Sequence, residues 1–279
     1  MRKVFGLIFL LIFVGVVLTV VGFFMSDGTT LDLFERQDYT LTELSYDADA
    51  YADLSMVFIN REIEIYPSET DQILINYYEA ENDWVDIEID GASLQLVNHT
   101  KWYFGSSWIF SGWGFNHYNK VVIYLPVSVL GYALDISTSN GSIDMTDING
   151  LISADFGSLN GAITLENITL TEELSITTSN GKIMLTNVSS NGAIDLKTSN
   201  GDIDVINLTA DNLEATTSNG SIEIEIHGAY EEYRIEMDTS NGNMYIDGEK
   251  KSDGRYNLTL PDVINLHTSN GSIKLNFIQ

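Results

Sequence analysis

The sequence contains no cysteine. That excludes disulfides, a thiolate metal centre and a lipidated cysteine. Basic residues are scarce as well: 13 Lys and Arg stand against 40 Asp and Glu, a formal net charge of −27. Two of the 13, Arg2 and Lys3, precede the first acid, Asp27, so the rest of the chain is more acidic still. Phosphate binding needs a basic footprint, which argues against nucleic acid as a partner. The four histidines, His99, His117, His227 and His267, are scattered. There is no His-Glu-x-x-His, no Gly-x-Ser-x-Gly and no phosphate loop. No motif calls for a cofactor or a metal. Two readings of the acidity stand: a solvated, self-repelling surface, or adaptation to a cation-rich exterior.

What the chain has in abundance is one recurring stretch. Its copies place an Asn-Gly at 140–141, 160–161, 180–181, 200–201, 219–220, 241–242 and 270–271, and Thr-Ser precedes the Asn in six of these seven copies. The second copy reads Ser158-Leu159-Asn160-Gly161. A period near 20 residues marks a repeat architecture. Apolar residues alternate on both sides of each copy, as in Leu174 and Ile176 before Asn180 and Ile183 and Leu185 after it. Period-two alternation means strands with one buried face. Each repeat therefore reads strand, corner, strand, corner.

Two folds satisfy this pattern. Asn-Gly between alternating runs is a strong hairpin signal and gives an antiparallel meander. A β-solenoid of about 20-residue coils also explains why the Thr, Asn and apolar slots recur together, because equivalent residues then stack about 4.8 Å apart. The solenoid is the reading adopted. It places Asn140, Asn160, Asn180, Asn200, Asn219, Asn241 and Asn270 in one structural corner ladder, with their amides satisfying buried backbone groups of neighbouring coils. It also expects the following glycine to adopt positive φ.

Ahead of the repeats, Val4 to Met25 carries no charge. Its 22 residues span about 33 Å as a helix, enough for a bilayer core. The run is longer than a signal-peptide core and lacks an Ala-x-Ala site, so an uncleaved anchor is expected. Arg2 and Lys3 place the N-terminus in the cytoplasm and the bulk outside. The organisation expected is a cytoplasmic stub and transmembrane anchor at 1–26, a juxtamembrane linker at 27–40, a β region at 41–130 and the Ser-Asn-Gly solenoid at 131–279, continuous with the β region. Turn chemistry at Pro67-Ser68 and Asp90-Gly91 separates strands in the first part. Residues 101–118 interrupt the pattern with Trp102, Trp108, Phe110, Trp113 and Phe115 among glycines. They read as a plug of buried rings or as an exposed aromatic patch, a candidate binding loop. Residues 248–255 read as a projecting loop.

Three features together, the apolar N-terminal segment, the Val-x-Ile-x-Leu-Pro run at 121–126 and the Ser-Asn-Gly-x-Ile punctuation, resemble the putative-adhesin family of prokaryotic β-solenoid domains of unknown function. The resemblance covers about 41–279. It implies a membrane-tethered, extracytoplasmic solenoid and brings no catalytic residues.

The function expected is a non-catalytic surface binding or structural module. Its partners would be its own membrane and a surface glycan or envelope protein. An accessory of an envelope-stress or signalling system is the alternative. A polysaccharide-active β-helix enzyme comes third: Asp144, Asp204, Glu223 and Glu225 point outward, but Thr164 and Met184 break the acid column. Eight Asn-x-Ser/Thr sequons occur, at Asn98, Asn140, Asn167, Asn187, Asn207, Asn219, Asn257 and Asn270. Asn98 and Asn257, outside the regular corners, are the candidate glycosylation sites.

Overall fold

A computed structural model describes residues 38–101, 117–127, 131–252 and 254–279. The apolar N-terminal segment and most of the aromatic stretch, with Trp102, Trp108, Phe110, Trp113 and Phe115, lie outside the described residues. Among the described residues no helix is long and apolar enough to cross a membrane.

The described chain is all-β, built from two parallel-rich sheets and solenoid-like. The larger sheet runs, from one end to the other, β1 (Thr40–Asp47), β4 (Gln72–Glu79), β7 (Lys120–Pro126), β3 (Glu62–Ser68), β9 (Ile143–Thr146), β11 (Ile163–Leu170), β13 (Ile183–Ser190), β15 (Ile203–Thr209), β17 (Ile222–His227), β23 (Ile273–Ile278), β19 (Met244–Ile246) and β20 (Glu249–Lys251). The smaller runs β5 (Asp83–Asp90), β6 (Ser93–Thr100), β2 (Asp53–Phe58), β8 (Ala133–Thr138), β10 (Ser153–Ser158), β12 (Leu174–Thr178), β14 (Ala193–Lys197), β16 (Asn212–Thr217), β22 (Val263–Thr268), β18 (Arg234–Thr239) and β21 (Arg255–Tyr256). Each coil lays one strand in each sheet. The alternating apolar residues meet between the sheets in stacked columns. One runs from Ile63 through Ile143, Ile163, Ile183, Ile203 and Ile222 to Ile273, every member fully buried. Identical β-branched side chains in parallel register leave little free volume, which is how so regular a repeat reaches close packing.

Stacking order departs from chain order at both ends. The last coil, β22 and β23, lies between the coil of β16 and β17 and the coil of β18 and β19. The first, β2 and β3, likewise lies between β6 and β7 on one side and β8 and β9 on the other. Antiparallel strands then finish the stack: β4 and β1, with β5, at one end, and β20 and β21 at the other. The 248–255 segment, read as a projecting loop, therefore supplies two edge strands. β3 also continues through Pro67, which pairs in register with Leu125, so the turn falls after Ser68 rather than at Pro67-Ser68.

Candidate functional site

The Thr-Ser-Asn-Gly corner assigns each residue a separate task. The hydroxyl residue points into the core. Thr178, 2% exposed, donates to the Gly161 carbonyl at 3.1 Å and accepts from its own coil's Gly181 N–H at 3.1 Å. Thr198 does the same with Gly181 and Gly201, and Ser158 with Gly141 and Gly161. A buried amide pair that would otherwise lack partners is thus closed by one side chain per coil.

The glycines are required for another reason than the one expected. They are not among the glycines of positive φ. Instead the peptides of successive corners lie so close that a Cβ on Gly181 would overlap the Gly161 carbonyl, and one on Gly201 the Gly181 carbonyl. Close approach between coils, not turn handedness, excludes a side chain there.

The asparagines form one exposed side-chain column. Asn180 donates to Asn160 at 2.7 Å, Asn200 to Asn180 at 2.8 Å, Asn219 to Asn200 at 2.8 Å, Asn270 to Asn219 at 2.9 Å and Asn241 to Asn270 at 2.8 Å. Asn160 donates to Asn140, and Asn140 to Asn60. Asn270 precedes Asn241 because the last coil is inserted. The amides bond chiefly to one another in solvent; the buried backbone groups belong to the threonines. Asn60 has Arg61 in place of glycine, so repeat spacing missed it. The Arg61 side chain is buried; Nη1 donates to the Tyr118 carbonyl at 2.8 Å and Nη2 lies 2.8 Å from Asp83 Oδ2.

A second column went unread in the sequence. Asp147, Asn167, Asn187 and Asn207 all adopt φ between 54° and 59°. Asn167 donates to Asp147 at 2.6 Å, Asn187 to Asn167 at 2.7 Å, and Asn207 to Asn187 at 2.6 Å, with His227 bonded to Asn207 at the end. Asn and Asp tolerate this left-handed conformation better than other side chains. The signal was available: an Asn or Asp recurs seven residues after each of four Asn-Gly asparagines.

The two glycosylation candidates are committed elsewhere. Asn98 is 2% exposed; its amide donates to Asp83 Oδ1 at 2.7 Å and the Trp84 carbonyl at 3.1 Å. The Asn257 amide, at φ 53°, donates to the Tyr230 and Tyr233 carbonyls at 2.8 and 3.1 Å. A glycan on either nitrogen would displace those bonds. Burial of the Asn98 amide removes it as an acceptor in the folded chain.

With the corners spent on structure, contact chemistry falls to the outward strand positions. On the smaller sheet one outward row reads Ser55, Asp135, Asp155, Ser175, Asp195, Glu214, Asn265 and Glu236. All eight stand five residues before a ladder asparagine or, for Ser55, before Asn60, so the row is also periodic in sequence. Asp135 and Asp155 are direct neighbours. They border an open trough of about 340 Å³ that Asp53, Ala133, Ser153 and Glu173 also line. Partial burial first, and the Asp155 charge second, raise the Asp135 carboxyl pKa. Farther along, Lys197 pairs with Asp195, so that part of the row is compensated. Side-by-side carboxylates on one flat face suit a cation or sugar hydroxyls. They do not flank a bond from two sides, as glycosidic cleavage requires. On the larger sheet Lys182 pairs with Asp204, and Lys274 with Glu223.

The Toastrack DUF4097 family model matches residues 51–258. The chain belongs to that family, a domain of unknown function among the putative adhesins. No curated protein matches the sequence. Among solved structures it is similar to a putative adhesin from Bacteroides fragilis (14% identity, 86% of this chain and 97% of that one, TM-score 0.45). It is also similar to one from Parabacteroides merdae (13%, 86% and 97%, 0.38). A putative cell adhesion protein from Clostridium sporogenes is a third (12%, 86% and 100%, 0.35).

Proposed function

We propose that this chain is a membrane-anchored, extracytoplasmic module that binds at the cell surface without catalysis, its N-terminus in the cytoplasm. One observation carries the reading. The residues that make the repeat recognisable, Thr, Asn and Gly, are consumed in holding coil to coil. Such a chain presents a stiff acidic body rather than a reaction centre. The anchor reading rests on the charge-free run from Val4 to Met25 behind Arg2 and Lys3. Contact with a surface glycan or envelope protein is assigned to the aromatic stretch, because Trp and Phe dominate interface hot spots and a polyanionic surface offers little affinity of its own.

Two measurements test this. Protease added outside intact cells should release a fragment beginning beyond about residue 27; recovery of the folded domain in the cytoplasm overturns the localisation. Trp108→Ala with Trp113→Ala should reduce surface attachment while leaving the melting transition nearly unchanged. A collapse of the melt, with attachment lost only in proportion, would make those rings core and remove the binding assignment.

A further inference from the structure

The two ends of the stack differ. At the β20 and β21 end the edge strands are three and two residues long. At the β1 and β5 end both edge strands have eight residues, and Ile87 and Ile89 on the inward side of β5 are 40% and 52% exposed. An unpaired edge templates further pairing unless it is shortened, covered or charged. β5 is charged by Asp86, Glu88 and Asp90, which repel another acidic edge and suit a basic one.

The outward rows say what fits there. On the smaller sheet the row that starts at Glu88 passes through Gln95 and Ser55, follows the acidic row described above, and ends at Arg255. On the larger sheet the row that starts at Glu43 passes through Asn76, Val122 and Glu64 and ends at Lys250. Each row thus has an acid at the long-edged end and a base at the short-edged end. The Arg255 side chain is 71% exposed and only loosely held, 3.6 Å from Glu236. The inward row matches too, since the one starting at Ile89 ends at Tyr256. The larger sheet has one strand more, because β1 overhangs β5. A second copy must therefore be set along the stack and tilted toward the smaller sheet by about one strand spacing. This keeps outward faces outward and brings Arg255 beside Glu88, Lys250 beside Glu43 and Tyr256 beside Ile89. A symmetric pairing of two β5 edges would instead set the acids Asp86, Glu88 and Asp90 against their own copies, which is repulsive.

We propose that the β1 and β5 end is a docking surface for the β20 and β21 end of a second copy of this chain. Both sheets then continue from one molecule into the next. The contact is heterologous and head-to-tail, so it propagates into strings rather than closing as a dimer. It does not depend on the anchor or on what the surface binds.

The cysteine-free sequence allows a direct test on the full chain in detergent micelles. Glu88 and Arg255 stand at opposite ends of an eleven-stranded sheet, about 50 Å apart at the usual strand spacing, so a disulfide between them must join two molecules. The Glu88→Cys, Arg255→Cys double variant should give a ladder of covalent dimers, trimers and larger species on mild oxidation. Each single variant, and Glu88→Cys combined with Lys182→Cys, should give none. Glu43→Lys with Glu88→Lys should abolish association measured by sedimentation, and adding Lys250→Glu with Arg255→Glu should restore it. Circular dichroism melts confirm that each variant folds. Absence of a ladder from the double variant overturns the proposal. So does equal dimerisation of Glu88→Cys alone, which would mean symmetric edge pairing.

Discussion

Replacing Thr178 by Val separates the two kinds of corner bond. The change is nearly isosteric and removes one hydroxyl from a site 2% exposed. It strands two buried backbone groups, the Gly161 carbonyl and the Gly181 N–H, each 3.1 Å from the lost oxygen. A buried polar group left without a partner costs about 1–3 kcal/mol, so the pair should cost roughly 2–6 kcal/mol. Asn180→Ala removes just as many ladder bonds, one to Asn160 and one from Asn200, yet its site is exposed. Water replaces those partners, and the net loss should be about 1–2 kcal/mol. Thr178→Ser keeps the hydroxyl, as Ser158 does in the preceding coil, and should cost about 1 kcal/mol for the lost methyl. Urea titrations of the three variants give the order, provided the slope with denaturant is unchanged. If Thr178→Val costs no more than Asn180→Ala, the buried hydroxyl does not hold the corner and the division of labour argued here is wrong.

Gly201→Ala should destabilise by about 1–3 kcal/mol or more, because its Cβ must displace the Gly181 carbonyl of the preceding coil; Gly91→Ala, in open space at φ 60°, should cost only the conformational strain of about 1 kcal/mol. Equal losses in the two melts would contradict the close-approach account. Asn187→Ala should be worse than Asn187→Gly by about 1 kcal/mol, since both lose the bonds to Asn167 and Asn207 but only glycine accepts φ 54° without strain. For Asp135 the sign follows from its raised pKa. The folded chain holds that proton more tightly than the unfolded chain, so this group's contribution to stability falls as pH rises from the ordinary carboxylate range through its folded value. Asp135→Asn should flatten that slope and stabilise at pH 7 by a few tenths of a kcal/mol, discounted for solvent screening; a variant less stable at pH 7 would mean that the carboxylate has a favourable partner.

The strands, the 20-residue coil and the membership of one asparagine column were legible because each is carried by residue identity at fixed spacing. Chemistry at the corner was legible only in part. Asn-Gly is ordinarily a statement about positive φ, and spacing cannot distinguish that from a statement about clearance between coils. Here the left-handed residues are Asn167, Asn187 and Asn207. Their Asn-x-Ser/Thr pattern pointed to glycosylation, and the periodicity that marks them as a second column was hidden beneath that motif. Asn60 was invisible because Arg61 stands where a glycine was sought. The outward row through Asp135 and Asp155 was equally periodic, but the acids weighed were those following Asn-Gly, on the other sheet.

Stack order was beyond any periodic reading, and it has a physical consequence. In a solenoid wound strictly in sequence, each terminal coil touches one neighbour and frays first, because stability is a sum of local interface terms. Here the C-terminal coil is paired on both sides, β22 with β16 and β18, β23 with β17 and β19. The first coil is held between neighbours in the same way. Opening the C-terminal coil therefore breaks interfaces inside the body rather than at its tip, whereas β1, ahead of the first coil, is an edge strand paired only with β4. Of the outermost strands, β5 pairs with β6 and β20 with β19 as local hairpins, whereas β1 pairs with β4 and β21 with β18 across intervening strands. The chain thus closes late and over long sequence separations, a slow route by contact order. In return, the C-terminal coil cannot peel away from the tip of the stack, because it is paired on both sides.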